Sequence, residues 1–66
     1  MATFLPLFRH EDGREQPGQA FTTDEHLGRG HTVEHDGRRW RLEESEMLGG
    51  DPSCFKIIFV PDVPAQ

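Results

Sequence analysis

The sequence lacks most of the features with which small proteins reinforce a fold. Its single cysteine, Cys54, excludes an internal disulfide. Hydrophobic residues make up 33% of the 66 residues, below the ~45–50% apolar content usual for globular chains even though that figure includes glycine. A chain of this length forms one domain and buries only ~60% of the surface that its unfolded form exposes. We therefore expect one domain with a small core and a thin margin of stability.

Long apolar runs and an excess of basic residues are also missing. No run of ~18 apolar residues is present, so we expect no membrane span. The apolar residues near the N-terminus follow no basic residue, and we expect no signal peptide. Twelve acidic against seven basic residues give a net charge of −5, which argues against phosphate binding as the main activity. With one thiol and no export signal, the expected compartment is a reducing cytoplasm.

The choice among similar residue types is strongly biased. Asparagine and tyrosine are absent, and six of the seven basic residues are arginine, the exception being Lys56. This bias is typical of a GC-rich genome and indicates a bacterial source.

The clearest structural signal lies in residues 31–43, which read as two β-strands joined by Asp36-Gly37. These two residues suit a type I′ turn, because both central positions of that turn need positive φ. The register that follows pairs His35 with Arg38, Glu34 with Arg39, Val33 with Trp40, Thr32 with Arg41 and His31 with Leu42. A slip by one residue would expose Trp40 and bury two arginines. The hydrophobic pattern therefore fixes the register of this hairpin.

Two further segments read as strands. Residues 3–9 are apolar on both faces, and Pro6, which has no N–H to donate, confines this strand to a sheet edge or a bulge. Residues 54–60 form a continuous apolar run, typical of a central strand covered on both faces. We expect this run to lie antiparallel to residues 39–47. Residues 61–66 are expected to form a loose tail.

Residues 11–30 show little regular structure in the sequence. Turns are expected at 11–14 and at Pro17-Gly18, and a capping-box pattern at residues 22–25 predicts at most one helical turn, at 24–27. Twenty residues are long for a loop within a compact domain. The segment is therefore either a functional loop or the site of a short strand that the pattern does not reveal.

The predicted fold is all-β, a small antiparallel sheet or partly open barrel of four to five strands, with residues 1–60 as a single domain. The predicted core consists of Phe4, Phe8, Phe21, Val33, Trp40, Leu42, Phe55, Ile57 and Phe59. Leu27 and Met47 are expected to close its ends.

The hairpin segment from Gly30 to Leu42 resembles the G-x-x-V-x-x-x-G-x-x-W-x-V hairpin of SH3-like small β-barrels. The long first loop of those barrels would correspond to residues 11–30. The chain departs from that group in lacking an acidic–aromatic ligand groove, since tyrosine is absent and Trp40 faces the core. The resemblance implies a fold, and a peptide-binding role does not transfer with it.

Residue types that bind metals or perform catalysis are present, but they match no known pattern. His31 and His35 would lie ~13 Å apart on one strand, too far to share a zinc ion whose ligands lie within ~2.1 Å. A site built from His26, His31 and a carboxylate stays open. Cys54 begins an apolar strand, where a buried structural thiol is the ordinary interpretation. We predict no enzymatic activity, no metal site and no cofactor.

Three functions of different classes follow from these observations. The leading prediction is a non-catalytic protein-interaction module that forms a homodimer or binds another protein. Its surface would be an outward apolar patch, larger than monomers usually tolerate, formed by Leu5, Leu7, Ile58 and Val60. The first alternative, which the net charge disfavours, is a nucleic-acid-binding accessory protein that uses Arg38, Arg39 and Arg41. The second alternative is a small metal- or thiol-dependent enzyme.

Overall fold

The computed structural model describes residues 1–62 as one open sheet of six strands. The strands are β1 (Ala2–Arg9), β2 (Glu15–Pro17), β3 (Phe21–Thr23), β4 (Thr32–His35), β5 (Arg38–Met47) and β6 (Cys54–Pro61). Their order is β2-β1-β6-β5-β4, and β3 pairs with β1 beside β2. β1 and β6 are parallel, and the other pairs are antiparallel. The prediction of an all-β, partly open sheet is confirmed, with six strands and one parallel pair.

The segment 11–30 contains two short strands that the sequence pattern does not reveal. β2 and β3 both pair with β1, where Pro17 lies opposite Leu7 and Phe21 lies opposite Phe4. The register of the pairing with β1 differs by one residue between β2 and β3, so residues 18–20, which connect them, form a bulge. The N–H of Gly18 donates to the carbonyl of Pro6 at 3.0 Å. The N–H and C=O of a strand residue point to the same side, so the N–H that Pro6 lacks would also have faced this bulge. This agrees with the expectation that Pro6 lies at a sheet edge or a bulge.

Gly18 lets this bulge approach the core. A Cβ built at this position would lie 2.6 Å from Cε2 of Phe8 and 3.1 Å from Cγ of Pro6. The Pro17-Gly18 pair, predicted as a turn, is therefore the end of β2 followed by a close contact between backbone and ring. Any side chain at position 18 would displace Phe8.

The helical turn expected at 24–27 does not form, and residues 1–62 contain no helix. The hydroxyl of Thr23 accepts a hydrogen bond from the N–H of Glu25 at 3.1 Å. This local bond satisfies the donor without a helix, as threonine side chains commonly do in turns. Within this part of the chain, no helix is therefore long and apolar enough to cross a membrane.

β4 and β5 form the predicted hairpin in the predicted register. Asp36 has φ 55° and Gly37 has φ 73°, the two positive values that a type I′ turn requires. The pairing extends to His31, whose carbonyl accepts the N–H of Leu42 at 2.7 Å. The indole Nε1 of Trp40 donates to the carbonyl of His35 at 3.1 Å, so the buried ring leaves no polar atom unsatisfied.

The core occupies one side of the sheet, which we call the inner face. Its buried hydrophobic residues are Phe4, Phe8, Trp40, Leu42, Ile57 and Phe59. The ring of Phe8 on β1 stacks on the ring of His35 on β4, with centroids 4.1 Å apart. Because β1 and β4 are not neighbours in the sheet, this contact means that the sheet curls around its inner face. A groove of about 280 Å³ remains between β3 and β4.

Most of the predicted core is confirmed, but several residues at its margins are less buried than predicted. Val33, Phe55 and Leu27 pack against the core while partly buried. Phe21 is 38% exposed and Met47 is 49% exposed. Both residues lie at margins of the curled sheet, Phe21 on the three-residue edge strand β3 and Met47 at the end of β5.

The last strand runs slightly further than predicted. β6 includes Pro61, and the N–H of Asp62 donates to the carbonyl of Arg39 at 3.0 Å. These two residues of the predicted tail therefore belong to the sheet. The remainder of that tail, residues 63–66, lies outside the described residues.

Trp40 provides a direct test of the core. With 2% of its surface exposed, this single tryptophan should fluoresce with a blue-shifted maximum that moves to the red on unfolding. Trp40→Ala should destabilise the protein by ~3–5 kcal/mol in urea titrations, because it leaves a large cavity. Native emission like that of tryptophan in water would contradict the register of the hairpin.

Gly37 tests the turn. Gly37→Val should cost about 1–2 kcal/mol or more, because a side chain disfavours the left-handed backbone. Gly28→Val is the matched control, since neither glycine has an atom within 4 Å of a built Cβ and only Gly37 has positive φ. Equal unfolding midpoints for the two variants would show that a side chain at position 37 does not strain the turn.

Candidate interaction face

The face of the sheet opposite the core, which we call the outer face, holds all four residues of the predicted apolar patch. Side chains alternate along a strand, so residues between the buried positions of β1 and β6 point outward. In the parallel pairing, Leu7 lies beside Ile58 and Leu5 lies beside Lys56. Val60 follows on β6 and lies opposite Arg41. The outer face thus brings Leu5, Leu7, Ile58 and Val60 together at the middle of the sheet.

The patch is not covered by the long segment at 11–30. That segment contributes β2 and β3 to the sheet itself, and its Leu27 packs against the inner core. All six strands belong to one sheet. Leu5 is 39% exposed, and the other three patch residues are half-buried among their neighbours. The centre of the outer face therefore presents adjacent leucine, isoleucine and valine side chains.

Arg9 crosses this face. Its guanidinium pairs with Glu15 on β2 at 2.9 Å and approaches Glu44 on β5 at 3.9 Å. Because β6 lies between β1 and β5, the approach between Arg9 and Glu44 crosses β6 on the outer side. An arginine in this position lays its methylene stem along apolar surface and keeps its charge in water. Arg9 thus shields part of the patch without making it polar.

Charged residues of both signs surround the apolar centre. Arg41 lies beside Val60 and approaches Asp62 at 3.9 Å. Lys56 lies beside Glu46, and Glu44 lies beside Ile58. A charged rim around an apolar centre is the usual anatomy of a protein–protein interface.

The bulge in β5 decides which acids belong to this rim. Leu42 lies opposite Phe59 and Glu44 lies opposite Ile58, so Glu43 is an extra residue in the strand. Without the bulge, alternation from Arg41 would turn Glu43 and Ser45 outward. The sequence pattern contains no signal for this bulge, and Glu44 and Glu46 could not be assigned to the patch rim from the sequence.

The three arginines of the nucleic-acid alternative do not form one surface. Arg38 lies on the inner side, with its guanidinium 5.4 Å from the centre of the Trp40 ring. Arg39 and Arg41 alternate with Trp40 along β5 and lie on the outer face. Trp40 is buried and therefore offers no surface on which a base could stack. The structure separates Arg38 from the other two arginines of this alternative.

An ion pair at one end of the curled sheet connects the two hairpins. Nη2 of Arg38 donates to Oε2 of Glu11 at 2.6 Å. This hydrogen bond is the main reason that the pKa of Glu11 lies below its usual value, and it raises the pKa of Arg38. The ring of His10 meets that of Trp40 edge-on, with centroids 5.2 Å apart. The β1–β2 loop is thus held against the β4–β5 turn.

The candidate metal and thiol residues are spread over the fold. His35 stacks on Phe8, whereas His26 borders a separate cavity near Leu27. Cys54 is half-buried at the start of β6. Among residues 1–62, no group of three or more histidine, cysteine, aspartate or glutamate side chains is arranged to hold a metal ion. The site considered from His26, His31 and a carboxylate is therefore not assembled by these residues.

No protein-family model, no curated protein and no solved structure matches the chain. We therefore argue its function from the geometry of the outer face.

The Glu11–Arg38 pair predicts how stability depends on pH. Since the pKa of Glu11 is lowered in the folded state, the pair stabilises the fold above the ordinary carboxyl range, and this contribution is lost as pH falls through the lowered pKa. Glu11→Gln should lower the thermal midpoint at neutral pH and have a smaller effect at about pH 2, where the carboxylate begins to be protonated in the folded state as well.

Glu25→Gln, another exposed glutamate in a loop, serves as the control. Its midpoint should follow that of the wild type at both pH values. A Glu11→Gln effect that is equal at neutral and acidic pH would show that the ion pair does not stabilise the fold.

Proposed function

We propose that this protein is a non-catalytic interaction module that forms a homodimer through its outer face. One observation carries the proposal: Leu5, Leu7, Ile58 and Val60 lie together at the centre of a face that the long 11–30 segment leaves open. Contiguous apolar patches on small proteins commonly mark interaction sites. A rim of charged side chains encloses this patch, as in other protein interfaces.

A second copy is the simplest partner for this face. A twofold dimer needs only one self-complementary surface, and domains of this size often gain stability from association. Burial of the patch would remove apolar area from water, which contributes roughly 25 cal/mol per Å². The same interaction that hides the patch would therefore support a core that is small for an independent domain.

Face-to-face packing fits the strand lengths better than edge-to-edge pairing. The edge strands β2 and β3 have three residues each, and the edge strand β4 has four. Short edge strands give few backbone hydrogen bonds to a partner and resist sheet extension. Central strands β1 and β6, with eight residues each, offer the larger surface.

We place this activity in the reducing cytoplasm of a bacterium. Cys54 is the single cysteine and is half-buried, and a single unpaired thiol is typical of proteins in reducing compartments. The bias toward arginine supports the bacterial source.

Size-exclusion chromatography with light scattering tests the dimer. At micromolar concentration the wild type should have twice the 7.5 kDa mass of the chain. Leu5→Glu should give the monomer mass, because Leu5 is 39% exposed and tolerates a charge without disturbing the core.

Met47→Glu is the matched control, since Met47 is 49% exposed and its partner Phe55 lies on the inner side. This variant should remain dimeric. Circular dichroism should show that both variants are folded. A wild-type monomer at these concentrations, or equal dissociation by both substitutions, would contradict the proposal.

A further inference from the structure

The charges on the outer face of β6 have opposite signs on the two sides of the patch. Lys56 lies two residues before Ile58, and Asp62 lies two residues after Val60. All four side chains point outward, as the alternation along the strand and the 3.9 Å approach of Asp62 to Arg41 indicate. A line drawn across the strand between Ile58 and Val60 therefore has a basic residue on one side and an acidic residue at the same distance on the other.

β5 repeats this arrangement with the signs exchanged. Glu44 lies beside Ile58, and Glu46 lies beside Lys56. On the other side of the same line, Arg41 lies beside Val60, and the carbonyl of Arg39 accepts the N–H of Asp62. Each acidic residue of β5 thus has an arginine at the corresponding distance across the line.

We propose that two copies of this chain pack outer face to outer face about a twofold axis that follows this line, perpendicular to the strands. The inference rests on the proposed dimer and specifies its orientation. Such an axis places each strand of one chain above the same strand of the partner, and the two strands run in opposite directions. It places Glu44 near the partner's Arg41 and Lys56 near the partner's Asp62. Ile58 then packs against the partner's Val60, and Leu7 lies over the partner's Arg9.

The reversed strand direction agrees with the ordinary packing of two sheets. Packed sheets align their strands to within about 30° and lie ~10 Å apart. Around the apolar centre, this axis creates three kinds of opposite-charge pair, each occurring twice by symmetry. The third kind joins Glu46 to the partner's Arg39. Complementary rim charges of this kind fix orientation and speed association more than they add affinity.

A twofold axis parallel to the strands would give a worse match. Placed over β6, it would put Lys56 against the partner's Lys56 and Arg9 against the partner's Arg41. Placed between β1 and β6, it would put Lys56 against the partner's Leu5, although Glu15 would then meet the partner's Arg41. The axis over β6 places like charges together, which costs free energy. The axis between β1 and β6 gives one kind of opposite-charge pair, against three for the perpendicular axis, so the perpendicular axis is favoured.

Charge reversal in separate chains tests this orientation. Glu44→Arg alone would put two arginines together on both sides of the axis, and Arg41→Glu alone would put two glutamates together on both sides. Each variant should self-associate about tenfold or more weakly than the wild type, because like charges oppose each other twice. An equimolar mixture should form a heterodimer, since each introduced charge then meets an opposite charge in the other chain.

The mixture separates contacts between chains from contacts within a chain. Glu44→Arg also removes the approach to Arg9, and Arg41→Glu removes that to Asp62, but mixing restores neither. Glu15→Arg mixed with Arg41→Glu is the control, because Glu15 faces the partner's Arg41 only if the axis runs parallel to the strands. Native mass spectrometry distinguishes homodimers from heterodimers by mass, and circular dichroism establishes that each variant is folded.

The expected result is a heterodimer from the first mixture, whereas in the control mixture Glu15→Arg should form its own homodimer and no favoured heterodimer. A wild-type dimer whose first mixture gives no heterodimer, or whose control mixture gives as much heterodimer as the first, would overturn the orientation and leave the proposed function in place. A wild type that is monomeric in the light-scattering experiment would overturn the proposed function together with this inference.

Discussion

The parallel pairing of β1 and β6 is the constraint on which the rest of the sheet depends. β1 carries β2 and β3 on its other edge, whereas β6 carries β5 and, through it, β4. The two antiparallel halves of the chain meet in the sheet at this pair. Strands at the centre of a sheet tend to be apolar on both faces, and both strands here follow that rule. The apolar outer face is therefore a direct consequence of placing these strands at the centre of one layer.

Curling hides only one of the two apolar faces. On the inner side, the ring of Phe8 stacks on that of His35 across the curled sheet, and the ion pair between Glu11 and Arg38 joins the same end. Each of these contacts joins the β1 half to the β4–β5 hairpin and closes the inner face on itself. Curvature in that direction spreads the outer face, so residues 1–62 leave the patch on the surface of the sheet. The dimer that we propose would remove the patch from water.

The sequence predicted the hairpin because several local signals agree there. Asp36-Gly37 sets the turn, Val33 opposite Trp40 sets the buried side, and any slip would expose the tryptophan. β2 and β3 have no such signals, since each has three mostly exposed residues and its position is set by its pairing with β1. Pairing between residues distant in sequence is invisible to a local pattern. The same reason explains why the parallel pair was not predicted.

The candidate face could be predicted only in part. The four apolar residues follow from alternation alone, because Leu5 and Leu7 lie between the buried positions of β1. The orientation of the charges on β5 does not follow from alternation, because the extra residue Glu43 changes which acidic side chains of β5 point outward. A one-residue bulge moves every side chain that follows it in the strand to the opposite face of the sheet. The charge pattern from which we infer an orientation is therefore a property of the folded sheet.

The distribution of charge over the molecule also favours contact through this face. The outer face carries four basic and five acidic side chains, so it holds only one of the five net negative charges of the chain. The other charges lie elsewhere on the surface, where water and salt screen them over about 8 Å at physiological ionic strength. Within one chain, Arg9 approaches Glu44 and Arg41 approaches Asp62 at 3.9 Å, so these charges already have opposite neighbours. In the proposed dimer, their equal distances from the apolar centre would add opposite-charge contacts between the chains, because a twofold axis turns that arrangement into attraction.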